Sequence, residues 1–332
     1  MTKHALIIST AALLALSACG KSNSNKADTS DTDAAEIMPI TATYEFETRS
    51  KIAHIAFAPN DVASWLGALA MIGEDGALRF SDIEAINSTT ASGRYRTAIG
   101  FDRPKAPALF AVLSEAGTWR GYVESSDTFD FSPSPIVGAP SADTIICTPY
   151  GSATTTLSTI RDEALVSYSS VISADGVLTL SAGKPRVTKI SNTQYCVAGP
   201  DGSVLVASEA GLSRLAPDGL VIAKTKAQYS TAAYLDPDTI IAVSGGTLVQ
   251  IAPETLGVTQ RLAIDNGLSI SGVEKIGAVF VATSPYGGTA FNEGAVFLTD
   301  AERPRVVVVS RRYFLNRIKG ESQLSDGVAT AP

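Results

Sequence analysis

The side chains with the types and spacings to do chemistry are few and scattered. His54 is the only histidine beyond the first ten residues. It sits between Ile52 and Ala56 in an alternating run, with no Gly-x-Ser-x-Gly elbow elsewhere to present a nucleophile to it, so it reads as a structural or surface residue. Ser181-Ala182-Gly183-Lys184 has the spacing of a Ser-x-x-Lys pair but follows a strand and lacks that chemistry's companion motifs. Asp-Gly pairs at Asp75, Asp175, Asp201 and Asp218 lack the Asp-x-Asp-x-Asp spacing of a calcium loop. They read as turns, where Asp and Gly tolerate left-handed backbone. No metal site, cofactor or catalytic residue is expected. What remains is three cysteines, Cys19, Cys147 and Cys196, and two Pro-Tyr-Gly turns, at Tyr150 and Tyr286.

These residues must be held by β-structure. The chain has 332 residues, 45% apolar and 18% charged, with Val and Ile in short runs and no long segment of helical period. Ser203 to Gly219 reads as one complete hairpin, and its ending, a short apolar strand followed by a small or acidic residue and Gly, recurs along the sequence. The turn glycines are Gly76, Gly117, Gly176, Gly211, Gly246 and Gly287, in steps of 41, 59, 35, 35 and 41 residues. Most steps are near the roughly 40 to 50 residues of a four-stranded propeller blade. The expectation is an all-β fold, a single six-bladed β-propeller over 40–319, with seven blades as the alternative. Thr41 to Glu47 reads as one half-buried strand that helps to close the ring, since an open propeller exposes two sheet edges. The 59-residue step reads as an insertion, with Phe131 to Pro135 and Ser152 to Asp162 as irregular pieces. In a six-blade ring, Tyr150 and Tyr286 lie 136 residues or about three blades apart, so they are expected to face each other across one mouth. A phenol presents an apolar face and a hydroxyl to a protein surface or a small polar ligand. The basic run Arg303, Arg305, Arg311, Arg312, Arg317 and Lys319 reads as a solvated outer strand.

The first residues read as a targeting segment, with Lys3 in a basic n-region and Ala5 to Leu16 as the apolar stretch. That stretch is shorter than the about 20 residues a spanning helix needs. It ends in Leu16-Ser17-Ala18-Cys19, which resembles the lipobox of bacterial lipoproteins. The resemblance implies removal of residues 1–18, a diacylglyceryl thioether on Cys19 and a further acyl chain such as palmitate on the new amine. Two or more chains anchor a protein stably. Gly20, rather than Asp, follows Cys19, and in such lipoproteins this implies the outer membrane, with the domain facing the periplasm. Residues 19–39 carry too few large apolar groups to fold and read as a tether, and 320–332 as a disordered tail. In an oxidising compartment the two remaining thiols are expected to pair. Cys147 and Cys196 each fall on what would be the innermost strand of neighbouring blades.

Pro59-Asn60-Asp61, Ser64, Gly73, Asp75-Gly76-Ala77-Leu78 and Ser81-Asp82 resemble the first blade of β-propeller phytases, and Asp201 to Gly219 resembles the repeat of lactonase-type and NHL-type propellers. Phytases carry an acidic calcium cluster before this blade; here Thr48-Arg49-Ser50-Lys51 stands in that place. The net charge of -7 argues against a nucleic-acid partner. The functional expectation is a lipid-anchored binding module for a protein or small polar ligand. The alternative is a phytase-like phosphatase or lactonase-like hydrolase.

Overall fold

The computed structural model describes residues 37–320, apart from 61–66, 83–86, 104, 126–127, 152 and 287–288. Cys19, the targeting segment, most of the tether, Asp61, Ser64, Gly287 and the tail after Gly320 lie outside the described residues. What is described is all-β with one terminal helix. In chain order the strands make six four-stranded antiparallel sheets. The first is Ile52–Ala58, Ala68–Gly73, Leu78–Ser81 and Ser88–Ala91. The second is Tyr95–Phe101, Leu109–Ser114, Trp119–Glu124 and Phe131–Ser134. The third is Ile145–Thr148, Thr156–Arg161, Ala164–Ile172 and Leu178–Ala182. The fourth is Thr193–Ala198, Val204–Ser208, Gly211–Leu215 and Val221–Thr225. The fifth is Thr231–Asp236, Thr239–Ser244, Thr247–Ile251 and Val258–Asp265. The sixth takes Ile276–Ala282, Ala295–Asp300 and Arg305–Ser310 from one end of the domain and Tyr44–Glu47 from the other.

Successive side chains on a strand point to opposite faces, and here both faces are buried. In Arg305–Ser310, Val307 and Val309 pack toward the fifth sheet while Val306 and Val308 pack toward the first. Ile55 and Phe57 face the sixth sheet; Ala56 and Ala58 face the second. The same division runs through Leu109 against Phe110, Val206 against Leu205, and Ile241 against Ile240. Each apolar layer thus joins two sheets consecutive in the chain, and the last layer joins the sixth sheet back to the first. Each fully buried valine contributes about 1.5 kcal/mol or more toward folding before its ordering cost. The layer between the third and fourth sheets is the leanest, with Ile160, Leu165, Val204, Val206 and Leu215 around Cys147 and Cys196. There the first strands of the two sheets pair in parallel, Cys147 opposite Cys196. Their sulfurs are bonded, with Cα atoms 4.4 Å apart.

Several expectations are corrected. Four of the turn glycines mark the hairpin from the second to the third strand of their sheets, Gly76, Gly117 and Gly246 between the strands and Gly211 as the first residue of the third, but Gly176 lies between the third and fourth strands of the third sheet. The equivalent hairpin there is turned by Asp162 and Glu163, at φ 48° and 61°, so no glycine marks it. Gly211 shows why glycine serves elsewhere: at φ 117° a Cβ would sit 2.0 Å from the Thr225 carbonyl oxygen. The supposed irregular pieces are largely strands. Phe131–Ser134 pairs with Trp119–Glu124 as an edge, where Pro133 needs no partner for a missing N–H, and Thr156–Arg161 is the second strand of the third sheet. Thr41 to Glu47 is two strands: Ile37–Thr41 lies parallel on Val258–Asp265 of the fifth sheet before Tyr44–Glu47 completes the sixth. The chain's start therefore fastens both.

The basic run is not a solvated strand. Arg305 is buried; its Nε donates to Asp300 at 2.8 Å, its Nη1 to Glu45 at 2.6 Å and to the Ser271 carbonyl at 3.0 Å, and its Nη2 to the Gly272 carbonyl at 2.7 Å. Arg311–Lys319 is a helix that buries Phe314 against the fifth and sixth sheets and ends at left-handed Gly320, φ 70°. Arg317 and Lys319 lie at its C-terminal end, where the helix dipole favours cations.

Burial alone would raise the Asp300 carboxyl, but the Glu302 amide, the Arg305 guanidinium and the Arg303 amide hold it below the usual carboxylate range. Its contribution is present above the ordinary carboxyl pKa and is lost as pH falls through the lowered one. Arg305→Met should leave that carboxylate buried without its cation and cost about 3–5 kcal/mol at pH 7. The double variant Arg305→Met/Asp300→Asn should recover part of the loss. Urea unfolding of the three proteins checks this; equal stability of Arg305→Met and wild type would contradict it.

Candidate functional site

The site begins with a segment that leaves the third sheet and returns to it. After Thr148 the chain runs through Pro149, Tyr150 and Gly151 to Ala153–Thr154, then re-enters at Thr156. The Tyr150 ring lies edge-on to Tyr234 of the fifth sheet, centroids 6.4 Å apart at 87°. The Gly151 carbonyl accepts from the Thr283 amide beyond the first strand of the sixth sheet, at 3.4 Å. Ala153 and Thr154 pair in parallel with Gly100 and Phe101 of the second sheet, and the Thr154 carbonyl accepts from the Asp102 amide at 3.1 Å. With the sheets in cyclic order, the sixth lies opposite the third, so a strap touching the fifth, sixth and second must cross the space the first strands enclose. Gly151 has φ 74°, and a Cβ there would lie 2.3 Å from the Thr283 hydroxyl oxygen.

The two tyrosines therefore do not face each other across an open mouth. Tyr150 belongs to the strap and is half-buried; burial raises its phenol, with Arg311 partly opposing. Tyr286 is fully buried, edge-on to Phe57 at 4.9 Å, and presents no surface to a ligand. The identical Pro-Tyr-Gly words carry no information about which turn crosses the centre and which folds beneath its sheet.

The remaining sequence candidates are structural. His54 Nε2 donates to the Ala98 carbonyl of the second sheet at 2.7 Å, and its ring meets Phe280 of the sixth edge-on at 5.5 Å. Desolvation lowers its pKa, more than that hydrogen bond raises it. It bridges neighbouring first strands, and its bond goes to backbone rather than to a nucleophile. Ser181 and Lys184 are exposed at the rim of the third sheet. The Asp75, Asp201 and Asp218 carboxylates accept from the backbone amides of Ala77, Ser203 and Leu220, which are turn contacts. Among the described residues no three of His, Cys, Asp and Glu are grouped to hold a metal ion. The calcium arrangement that the phytase resemblance implies has no ligand set there.

Two polar features went unread in the sequence. Glu124, ending the third strand of the second sheet, is buried and accepts from the Asn60 amide at 3.1 Å and the Ala108 backbone N–H at 3.2 Å. Burial pushes its carboxyl up to about 7 against those two hydrogen bonds. In sequence it is an acid before two serines, indistinguishable from a surface turn. The second feature is a cleft of about 780 Å³ between the fifth and sixth sheets. Arg261, Asp265, Glu274, Glu302 and Arg303 line it and are exposed, and the buried Arg305 and Asp300 pair forms part of its wall. Ile37, where the described chain begins, stands at its lip. Charges of both signs converge here from loops remote in sequence, so no local motif marks the place.

No family model matches the chain. No curated protein matches it either. Among solved structures it is similar to YCF48 bound to D1 peptide, at 10% sequence identity and a TM-score of 0.42, covering 82% of this chain and 97% of that one. A likeness at that level assigns neither residues nor a partner.

Glu124 gives a pH test. Its raised pKa means that the folded state holds a proton the unfolded state has released, so stability should fall as pH rises from about 4.5 to about 7. Glu124→Gln keeps an acceptor for Asn60 and Ala108 and removes the charge. It should be more stable than wild type by roughly 2–3 kcal/mol at pH 8 and equal to it at pH 4. Urea midpoints across that range measure the difference; a gap independent of pH would contradict the assignment.

Proposed function

We propose that the cycle of six sheets is a six-bladed β-propeller acting as a protein-interaction module, held by a lipid on Cys19 at the outer membrane and facing the periplasm. The observation that carries the binding role is the pairing of a strapped-over centre with an open, doubly charged cleft. A reaction chamber on the ring axis would need an open mouth and converging catalytic groups; the Pro149 to Thr154 segment instead carries backbone from the third sheet to the second and sixth. The cleft between the fifth and sixth sheets instead offers Arg261 and Arg303 beside Asp265, Glu274 and Glu302. Such an arrangement suits an extended polar segment of another protein, fixing its register by charge rather than by buried apolar area. No described helix is long and apolar enough to cross a membrane, so in this reading the anchor is the acylated Cys19 with its polar tether. The hydrolase alternative draws no support from the described carboxylates.

Two experiments test the two parts. Cys19→Ala should accumulate as uncleaved precursor or partition away from membranes in detergent phase separation; normal processing with full membrane retention would contradict the anchor. A photo-crosslinking residue in place of Arg261 in the full chain should give a discrete envelope-protein adduct that Arg303→Glu abolishes. Absence of any adduct, together with calcium-dependent release of phosphate from a model ester, would overturn the binding reading in favour of the hydrolase.

A further inference from the structure

An exposed sheet edge is a row of unpaired N–H and C=O groups that another strand can join, and folded proteins protect such edges. Five of the six edges here are protected. The outer strand of the first sheet, Ser88–Ala91, is short and polar. That of the second carries Pro133. The third is covered by Ile136–Val137, laid parallel on Leu178 and Thr179 and preceded by Pro135. The fifth is covered by Ile37–Thr41, which itself contains Pro39. The sixth ends in Tyr44–Glu47, with Glu45 and Glu47 on it.

The fourth is different. Val221–Thr225 is the last strand of its sheet, and no described strand pairs with its outer side. It has no proline or acid; its one charge is Lys224 and its register with Gly211–Leu215 shifts between Arg214 and Leu215, yet three apolar residues in succession are open to solvent: Leu220 at 66%, Val221 at 45% and Ile222 at 54% exposed. Val187, 70% exposed, continues the patch from the third sheet, its carbonyl oxygen 3.3 Å from where a Cβ on Gly219 would stand. At the other end Lys224 and Lys226 are exposed, two local positive charges on a chain of net charge -7.

We propose that Val221–Thr225 is a docking edge for an extended strand of a partner protein, apolar or β-branched along its middle and acidic at the end that meets Lys224 and Lys226. The chain already uses this mode on itself, adding a parallel strand to the outer edges of the third and fifth sheets and to the first strand of the second. Added main-chain hydrogen bonds would supply affinity, and alternate side chains specificity. The lysines decide the occupant: opposite charges across paired strands stabilise and like charges destabilise, so an acidic segment fits and a second copy, bringing its own Lys224 and Lys226, fits poorly. This edge lies on the fourth sheet, apart from the cleft between the fifth and sixth, and stands or falls independently of it.

The test uses the full-length protein and two short fluorescent peptides of alternating valine and threonine, one ending in glutamates and one in lysines. The glutamate peptide should bind at least tenfold more tightly and slow hydrogen exchange of the amides of 221–225. Lys224→Glu/Lys226→Glu, at exposed positions that leave the core intact, should reverse the preference, and Ile222→Lys should abolish binding. Failure of the glutamate peptide to slow exchange there would overturn the proposal, as would equal binding of both peptides that charge reversal leaves unchanged. Protection, in the free protein, of those amides that do not pair with Gly211–Leu215 would also overturn it. Protection lost on dilution would make the occupant a second copy, and protection lost on removal of 321–332 would make it the chain's own tail.

Discussion

A four-stranded sheet that is apolar on both faces cannot end a stack. Each of the six sheets here divides its alternating residues between two neighbours, Val306 and Val308 one way and Val307 and Val309 the other. Leaving any sheet without a neighbour would expose a full apolar face to water, at about 25 cal/mol for each Å². The only arrangement without such a face is one that returns to its start. That condition makes Tyr44–Glu47 the decisive strand, because it binds the chain's beginning to Arg305–Ser310 near its end. Arg305 reinforces the join from within by holding Glu45, Asp300 and the 271–272 backbone at once. The disulfide plays a corresponding part at the opposite side of the cycle, bonding first strands where the apolar layer is thinnest.

Closure also sets what the surface can do. The enclosed centre is narrow enough that the segment from Pro149 to Thr154 reaches three other sheets within a few residues. Placing backbone there gives Gly151 a steric reason to be glycine. In the proposed binding role, contact with a partner falls on the seams and rims. The charged cleft occupies the seam where Ile37–Thr41 lies on the fifth sheet, and Val221–Thr225 is the outer edge of the fourth.

Much of the architecture was legible because two-sided burial writes itself as short apolar runs, and because a tight hairpin calls for glycine at φ above zero. Gly76, Gly117, Gly211 and Gly246 mark the same hairpin in four sheets. The signal failed where another residue took the strained position, as at Asp162 and Glu163, so the third sheet was displaced by one hairpin. The positions of Cys147 and Cys196 on adjacent first strands followed from strand order alone. The terminal helix was missed because its apolar residues, Phe314, Leu315 and Ile318, are embedded in cations that suggested solvent. The site was less legible than the fold. Tyr150 and Tyr286 share one sequence word and have opposite fates, and the cleft and the Glu124 pocket assemble residues that only tertiary structure brings together.

The most direct test of the closed cycle is a disulfide trap across the closing strand pair. Tyr44 and Val308 are register partners on antiparallel strands, and Cα atoms in such pairs lie within the about 4.4–6.8 Å that a disulfide spans. In Tyr44→Cys/Val308→Cys the two new thiols should couple completely on mild oxidation, as read by mass spectrometry of the alkylated protein, and the oxidised form should unfold at higher urea than the reduced one. Two alkylated thiols and an unchanged urea midpoint would show that the beginning of the domain does not lie on its last strand, and the cycle would be open.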